Sequence, residues 1–367
     1  MSNFWDKLKT PVIGLAPMDG VTDAAFRYMV CKYSEPSVVM TEFTNVEGLA
    51  RGAVKMLSMF IYHEIERPVV AQIYGTEVES YYKAAVMLAS MGFDGIDINM
   101  GCPSNKVAAR GSGAGLIKTP ALAKKIVKAV QRGVKDWSEG INLEEAGIGD
   151  EIIAACGKMA AARQMMAKKS KRLEQAKKSR IFPGENSKRK LLPVSVKTRI
   201  GYDKNVAEEW TKHLLECEPA NISMHGRTLK QMYTGRADWE TLAAAAKLCK
   251  KAGISFMGNG DVSSMEDAKE KIEKYGLDGV LVGRATMGNP WFFGVKEPSV
   301  KDRLKAVAEH TKYFLEFLPN PHFVAIRKHL AWYCKGFEGA KELRVELMKV
   351  ENLKDVERIV KNAKMNL

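Results

Sequence analysis

The 367-residue chain contains no run of 18 consecutive apolar residues, so no segment is long enough to cross a bilayer as a helix. Its first ten residues, MSNFWDKLKT, lack the basic start and apolar stretch of a secretory leader, and a cytoplasmic protein without membrane association is the expectation. Cysteine is sparse and scattered. Cys31, Cys102, Cys156, Cys217, Cys249 and Cys334 include no C-x-x-C pair, which argues against a disulfide framework or a zinc site, and no metal is expected. A G-x-G-x-x-G turn is missing after the first apolar run, which argues against the open dinucleotide-binding sheet. What is plentiful is apolar residues, at 46%, enough for one large domain and a smaller unit.

The net charge of +14 is local. Residues 158–190 carry 12 Lys or Arg against Glu174 and Glu185, residues 300–367 carry 14 against 9, and the rest is near neutral. A basic appendage and a basic tail on a neutral body suit a polyanion such as RNA, although a charge run can also be only a solvated face.

Short β-branched and apolar runs recur, each followed by helical periodicity. Eight strands are predicted, near Val12 to Ala16, Val38 to Glu42, Val69 to Tyr74, Gly95 to Asn99, Pro193 to Thr198, Asn221 to His225, Ile254 to Gly258 and Gly279 to Gly283. Their centres lie roughly 24 to 33 residues apart, the interval of repeated βα units, except for one gap of about 98. The expected fold is an α/β (βα)8 TIM barrel over residues 1–298. It is interrupted at 133–192 by a basic, largely helical insertion and followed at 299–367 by an all-helical domain.

In such a barrel, chemistry sits at the C-terminal ends of the strands. Those ends carry Pro17-Met18-Asp19, Glu42, Gln72, Asn99, Lys197-Thr198-Arg199, His225, Asn259-Gly260-Asp261 and Gly283-Arg284. One polar residue there can be a satisfied core group; a ring of eight polar ends reads as a site. The last two ends place small residues and Arg284 where barrels commonly bind phosphate, and Lys197, His225 and Gln72 are residue types that fit the ring of FMN. Cys102 follows the fourth strand in Asn-Met-Gly-Cys-Pro-Ser-Asn. A thiol protonated at neutral pH can deliver a proton, yet a free cysteine can equally be an inert buried hydrophobe, and position alone does not separate the two. Gly111 to Gly115 reads as a flexible flap.

Taken together, these segments resemble the tRNA-dihydrouridine synthases. The resemblance is carried by Leu15-Ala-Pro-Met-Asp-Gly-Val-Thr-Asp23 with Phe26-Arg27, by Ala71-Gln-Ile-Tyr-Gly75, and by Asp97-Ile-Asn-Met-Gly-Cys-Pro-Ser104 with the glycine segment. It continues through Val196-Lys-Thr-Arg199, His225-Gly-Arg-Thr228, Gly258-Asn-Gly-Asp261, Val282-Gly-Arg-Ala285 and Arg327-Lys-His-Leu-Ala-Trp-Tyr333. It implies that Pro17, Met18 and Asp19 lie against FMN, that Gln72, Lys197 and His225 hold its ring, and that Asn259, Gly260, Asp261, Gly283 and Arg284 bind its ribityl phosphate. NADPH or NADH would reduce the flavin, a hydride would pass from flavin N5 to C6 of uracil, and Cys102 would protonate C5 while Asn99 orients the base. The tail, through Arg327 and Lys328, would hold tRNA, although Trp332 and Tyr333 can instead pack the helices together.

The insertion departs from the family pattern. Its basic end, Lys188, Arg189 and Lys190, is expected to extend the RNA surface, with a spacer or a dimerisation hairpin as the alternatives and a monomer as the expected state. Two other readings stay open: an FMN barrel acting on a small pyrimidine-like substrate, which the basic tail disfavours, and a non-catalytic RNA-binding barrel, which the polar ring disfavours.

Overall fold

The computed structural model describes residues 3–169 and 189–365. Nine short strands, almost wholly buried and rich in Val, Ile, Leu and Met, pair in parallel: β1 (Val12–Leu15), β2 (Val39–Met40), β3 (Thr44–Asn45), β4 (Val69–Tyr74), β5 (Gly95–Met100), β6 (Val194–Arg199), β7 (Asn221–His225), β8 (Ser255–Asn259) and β9 (Gly279–Val282). Such continuous apolar runs suit strands covered on both faces. β1 pairs with β9 from Val12↔Gly279 to Leu15↔Val282, which closes the sheet. β2 and β3 both lie along β4, so together they make one broken stave of an eight-stave (βα)8 barrel. The continuous second strand expected to Glu42 is thus interrupted after Met40.

Helices follow the staves at the expected intervals, and Asp23, Asp238 and Ser264 cap three of them by accepting a hydrogen bond from the third residue beyond. The fourth differs from its reading. It spans Pro120–Glu139 and so runs past the expected start of the insertion at 133, because Gly133 is a point of close approach and no terminator: a Cβ there would stand 2.7 Å from the Tyr82 carbonyl oxygen. The buried stripe runs on through Val134, and the helix stops at Gly140, whose φ is 122°. The insertion therefore begins after Glu139.

The described part of the insertion is docked on the barrel flank. Its helix, Asp150–Lys169, buries Ile152 and Cys156, and Arg163 donates to the Met91 carbonyl, lies 3.3 Å from a Glu64 carboxylate oxygen and stacks over Tyr62. The most basic stretch, Lys188 included, falls outside the described residues.

After the barrel come four helices, Val300–Phe317, Val324–Tyr333, Ala340–Leu347 and Leu353–Met365. They share a core of their own, with Leu304, Phe314, Ile326, Leu330 and Leu347, which takes in Ala24, Ala25 and Met29 from the first barrel helix. At roughly 1.5–3 kcal/mol for each large side chain buried, this joint fixes the helical domain against the loop that follows β1. Tyr333 belongs to that core and its hydroxyl lies 3.1 Å from His310 Nδ1, so the packing role is the one it fills. None of the described helices is long and apolar enough to cross a membrane.

Candidate active site

β5 presents alternate residues to one face, so Asp97 and Asn99 both turn toward the barrel interior, where β4 supplies Gln72. Gln72 Nε2 donates to Asp97 Oδ2 at 2.7 Å, and Asn99 Nδ2 donates to Gln72 Oε1 at 2.9 Å. Asn99 Oδ1 then accepts from the backbone N–H groups of Gly101 (3.0 Å) and Cys102 (2.7 Å). Gln72 is fully buried with both ends of its carboxamide engaged, which leaves one Nε2 hydrogen for a ligand. Asn99, likewise, is occupied in holding the turn that carries Cys102, and one amide hydrogen remains for a substrate.

The turn is clamped from other sides as well. Arg199 Nε donates to the Gly101 carbonyl at 2.6 Å, and a Cβ on Gly101 would meet the Thr198 backbone at 3.2 Å. The segment expected to be a flexible flap is instead a buried 3-10 turn, Gly113–Lys118, in which Gly113 lies against Cys102 and the Ala114 N–H donates to the Cys102 carbonyl. Its small residues serve close packing, not mobility. Cys102 itself is only 8% exposed; burial pushes its thiol above the ordinary cysteine range, so it is protonated at neutral pH.

Beside β5, the ends of the next two strands, β6 and β7, are cationic. Lys197 Nζ donates to Asn259 Oδ1 at 3.1 Å, and Asn259 is itself held by the Leu281 carbonyl. Burial, reinforced by Arg199, lowers the Lys197 amine to about 8. Among the described residues, neither Lys197 nor Arg199 has a carboxylate within ion-pair distance; Arg199 spends its donors on the Gly101 and Thr228 carbonyls and on His225 Nδ1. Because a guanidinium can only donate, Nδ1 of His225 accepts and its proton sits on Nε2. Burial and the charges of Arg199 and Lys197 keep that imidazole neutral, well below the usual histidine range.

The last two strand ends converge as the sequence reading expects. Asp261, at φ 50°, accepts from Arg227 (2.6 Å), Arg284 (2.8 Å) and the Ala237 N–H, so its carboxylate fixes two arginines and leaves only its backbone to a ligand. Met18 closes this end: its sulfur is 3.2 Å from where a Cβ on Gly283 would stand. Asp19 is exposed at the rim, and Pro17 is half-buried beside Met18.

Of the residues expected to meet RNA, exposed Lys328 reaches the mouth, beside Gly20. Arg327 is half-buried, with Nε on the Val350 carbonyl. Arg189 donates to the Trp137 and Ile141 carbonyls and stacks on Trp137, closing the end of the Pro120–Glu139 helix; Lys190 is exposed. Four residues were given no role by the sequence: Asp97, Arg199, Arg227 and Glu42, which accepts from the Gly20 N–H. Their strand-end positions were the available signal for Arg199 and Glu42. Asp97 lies one pleat below the strand end and gave none. Among the described residues no cluster of His, Cys, Asp and Glu is arranged to hold a metal.

A model of the dihydrouridine synthase (Dus) family matches residues 14–138 and 185–366, and its gap opens where the fourth helix ends. A probable tRNA-dihydrouridine synthase of Staphylococcus aureus (strain MRSA252) is 33% identical over 361 residues, 96% of this chain and 92% of its own. The probable tRNA-dihydrouridine synthase 2 of Bacillus subtilis (strain 168) is 32% identical over 369 residues, 96% and 94% of the two chains. Among solved structures, a DHODH from Eimeria tenella is 13% identical with a TM-score of 0.45, covering 83% of this chain and 82% of the other.

Proposed function

This chain belongs to the dihydrouridine synthase family, and from that premise we propose that it reduces uridine to 5,6-dihydrouridine in tRNA, with FMN as its cofactor and NADPH or NADH as the reductant. The observation that carries the reading is a neutral buried thiol on a clamped turn, beside a half-buried lysine and a buried arginine with no carboxylate within ion-pair distance among the described residues. Unpaired buried cations are costly, and an anionic ligand relieves the cost. The donor set fits FMN. Lys197 and the Nε2–H of His225 would hold the isoalloxazine ring, Met18 and Gly283 leave the tight cradle that a Cβ would fill, and Arg284 with the Gly260–Asp261 backbone would take the phosphate.

FMN, when bound, supplies the hydride. The chain's own contribution is positional and acidic. Cys102 holds a proton for C5 of the base, Asn99 and Arg199 keep the turn beneath it in place, and Gln72 presses on Asn99 from below. The C5=C6 bond of uracil is conjugated to the C4 carbonyl, so hydride adds at C6 and the proton is needed at C5, and both must arrive from fixed directions, which is what a clamped turn provides. The base has to leave its stack to reach the cavity.

The test is a mass-spectrometric count of dihydrouridine in unmodified tRNA after incubation with the protein, FMN and NADPH. No product from protein that binds FMN removes the uridine assignment.

RNA contact is assigned to Lys328 at the mouth, with Arg327 beside it and Lys188, Arg189 and Lys190 in the insertion. Lys328→Ala is expected to weaken binding of every tRNA alike and to lower the slope of log affinity against log salt by about one, the loss of one phosphate contact. A slope unchanged across a salt series excludes that contact. Removing residues 136–190 is a poorer probe, since it cuts the Pro120–Glu139 helix and strips the docked Ile152 and Cys156.

A further inference from the structure

The chain of amides beneath Cys102 has a direction, and its direction is set at the far end. Asp97 is fully buried and accepts from Ser195 Oγ at 2.7 Å as well as from Gln72. An ionised carboxylate can only accept, so Gln72 must point its nitrogen down at Asp97 and its oxygen up. Asn99 must then offer its own nitrogen to that oxygen, which leaves Asn99 Oδ1, and no other atom of its carboxamide, for the N–H groups of Gly101 and Cys102. Reversing either amide would set oxygen against oxygen or N–H against N–H at hydrogen-bond distance in a buried site.

We propose that Asp97 is a positioning residue for the proton donor: through Gln72 and Asn99 it fixes the polarity of the relay that holds the Cys102 turn under the substrate. The proposal rests on the reading of Cys102 as the acid. Burial raises the Asp97 carboxyl to about 6, against the pull of its bonds to Ser195 and Gln72 and of Lys197 on the neighbouring strand, so at neutral pH it keeps the ionised form on which the polarity depends.

The test reverses the relay. Asn99→Asp places a carboxylate at both ends of Gln72, so one end always meets an oxygen. Asp97→Asn added to it restores every partner with the polarity inverted. The new amide at position 97 donates to Gln72 Oε1, Gln72 Nε2 donates to the new carboxylate at position 99, and that carboxylate still accepts from both backbone groups. An unsatisfied buried pair corresponds to roughly a tenfold to hundredfold shift in an equilibrium. Asn99→Asp is accordingly expected to lower the unfolding equilibrium of the FMN-loaded protein by about tenfold or more, and the double variant to recover at least about half of that loss on a logarithmic scale.

In a Cys102→Ala background Asp97→Asn, at a residue that touches neither substrate nor cofactor, should lower the residual turnover less than it does with the thiol present, because the relay acts through that thiol. If Asn99→Asp yields no soluble protein, recovery of folded protein on adding Asp97→Asn is the expected result, and its failure overturns the proposal. Losses that simply multiply in the double variant overturn it too, as does an equal fall in turnover when Cys102 is absent. The unfolding measurement needs no substrate, so coupling seen there without tRNA turnover leaves the relay standing and rejects the uridine reading instead.

Discussion

Cys102→Ala is expected to lower dihydrouridine formation by roughly 10²–10⁴-fold, the range over which a positioned acid contributes, while flavin absorbance and reduction by NADPH stay near wild type. The hydrogen bonds of Lys197, Arg199 and His225 go to groups other than the thiol, so its removal leaves that network in place. Rapid-mixing measurements separate the two halves of the cycle, and the loss belongs to the half in which reduced enzyme meets tRNA. Equal losses in both halves would make Cys102 a structural residue. The pH dependence adds a second signature. Lys197 is charged below about 8 and neutral above, whereas the Cys102 thiol, raised by burial, stays protonated to a higher pH. Rates should therefore be flat through neutrality and fall in two steps on the alkaline side. In Cys102→Ala the lower step, which belongs to the lysine, persists and the upper one disappears.

The barrel was legible because its signals are local: apolar runs bounded by turns, at the interval of repeated βα units, with strand limits such as Val69–Tyr74 and Asn221–His225 matching to the residue. What was misread depended on tertiary contact. Gly133 ends a helix when read alone but sits at a crossing of two helices, and the glycines from Gly111 to Gly115 suggest mobility until Cys102 and Ala108 are seen packed against them. The site was read at the strand ends, where position implies exposure to the cavity. Asp97 lies below that level, and its role comes entirely from partners on other strands, Gln72 and Ser195. Asp261 lies at its strand end as read, but its carboxylate is bound to two arginines, a commitment that spacing cannot reveal.

Glu66→Ala is expected to cost about 3–5 kcal/mol of stability, the range found when one partner of a buried ion pair is removed. Arg27 and Glu66 have fully buried side chains and meet at 2.7 Å between Nε and Oε2. The remaining guanidinium donors go to the Thr22 and Ile61 carbonyls, and Glu66 Oε1 accepts from the His63 N–H, so the pair ties the loop after β1 to the segment entering β4. Alanine leaves a buried positive charge hydrogen-bonded only to the Thr22 and Ile61 carbonyls among the described residues, whereas Glu66→Gln keeps an acceptor and should cost about 1–3 kcal/mol. Urea unfolding monitored by tryptophan fluorescence measures both, and a loss below about 1 kcal/mol in the alanine variant would mean that water reaches Arg27. The effect should spread in two directions. Thr22 belongs to the loop that carries Met18, through bonds between Met18 and Thr22, so the cradle next to Gly283 loosens and FMN affinity falls. His63 packs on Phe317 of the helical domain at 3.9 Å between ring centroids, so the seat of Lys328 loosens with it and tRNA affinity falls as well. Cys102→Ala moves neither affinity. The two variants thus separate the proposed proton donor from the buried charge pair that holds the cavity and the helical domain in register.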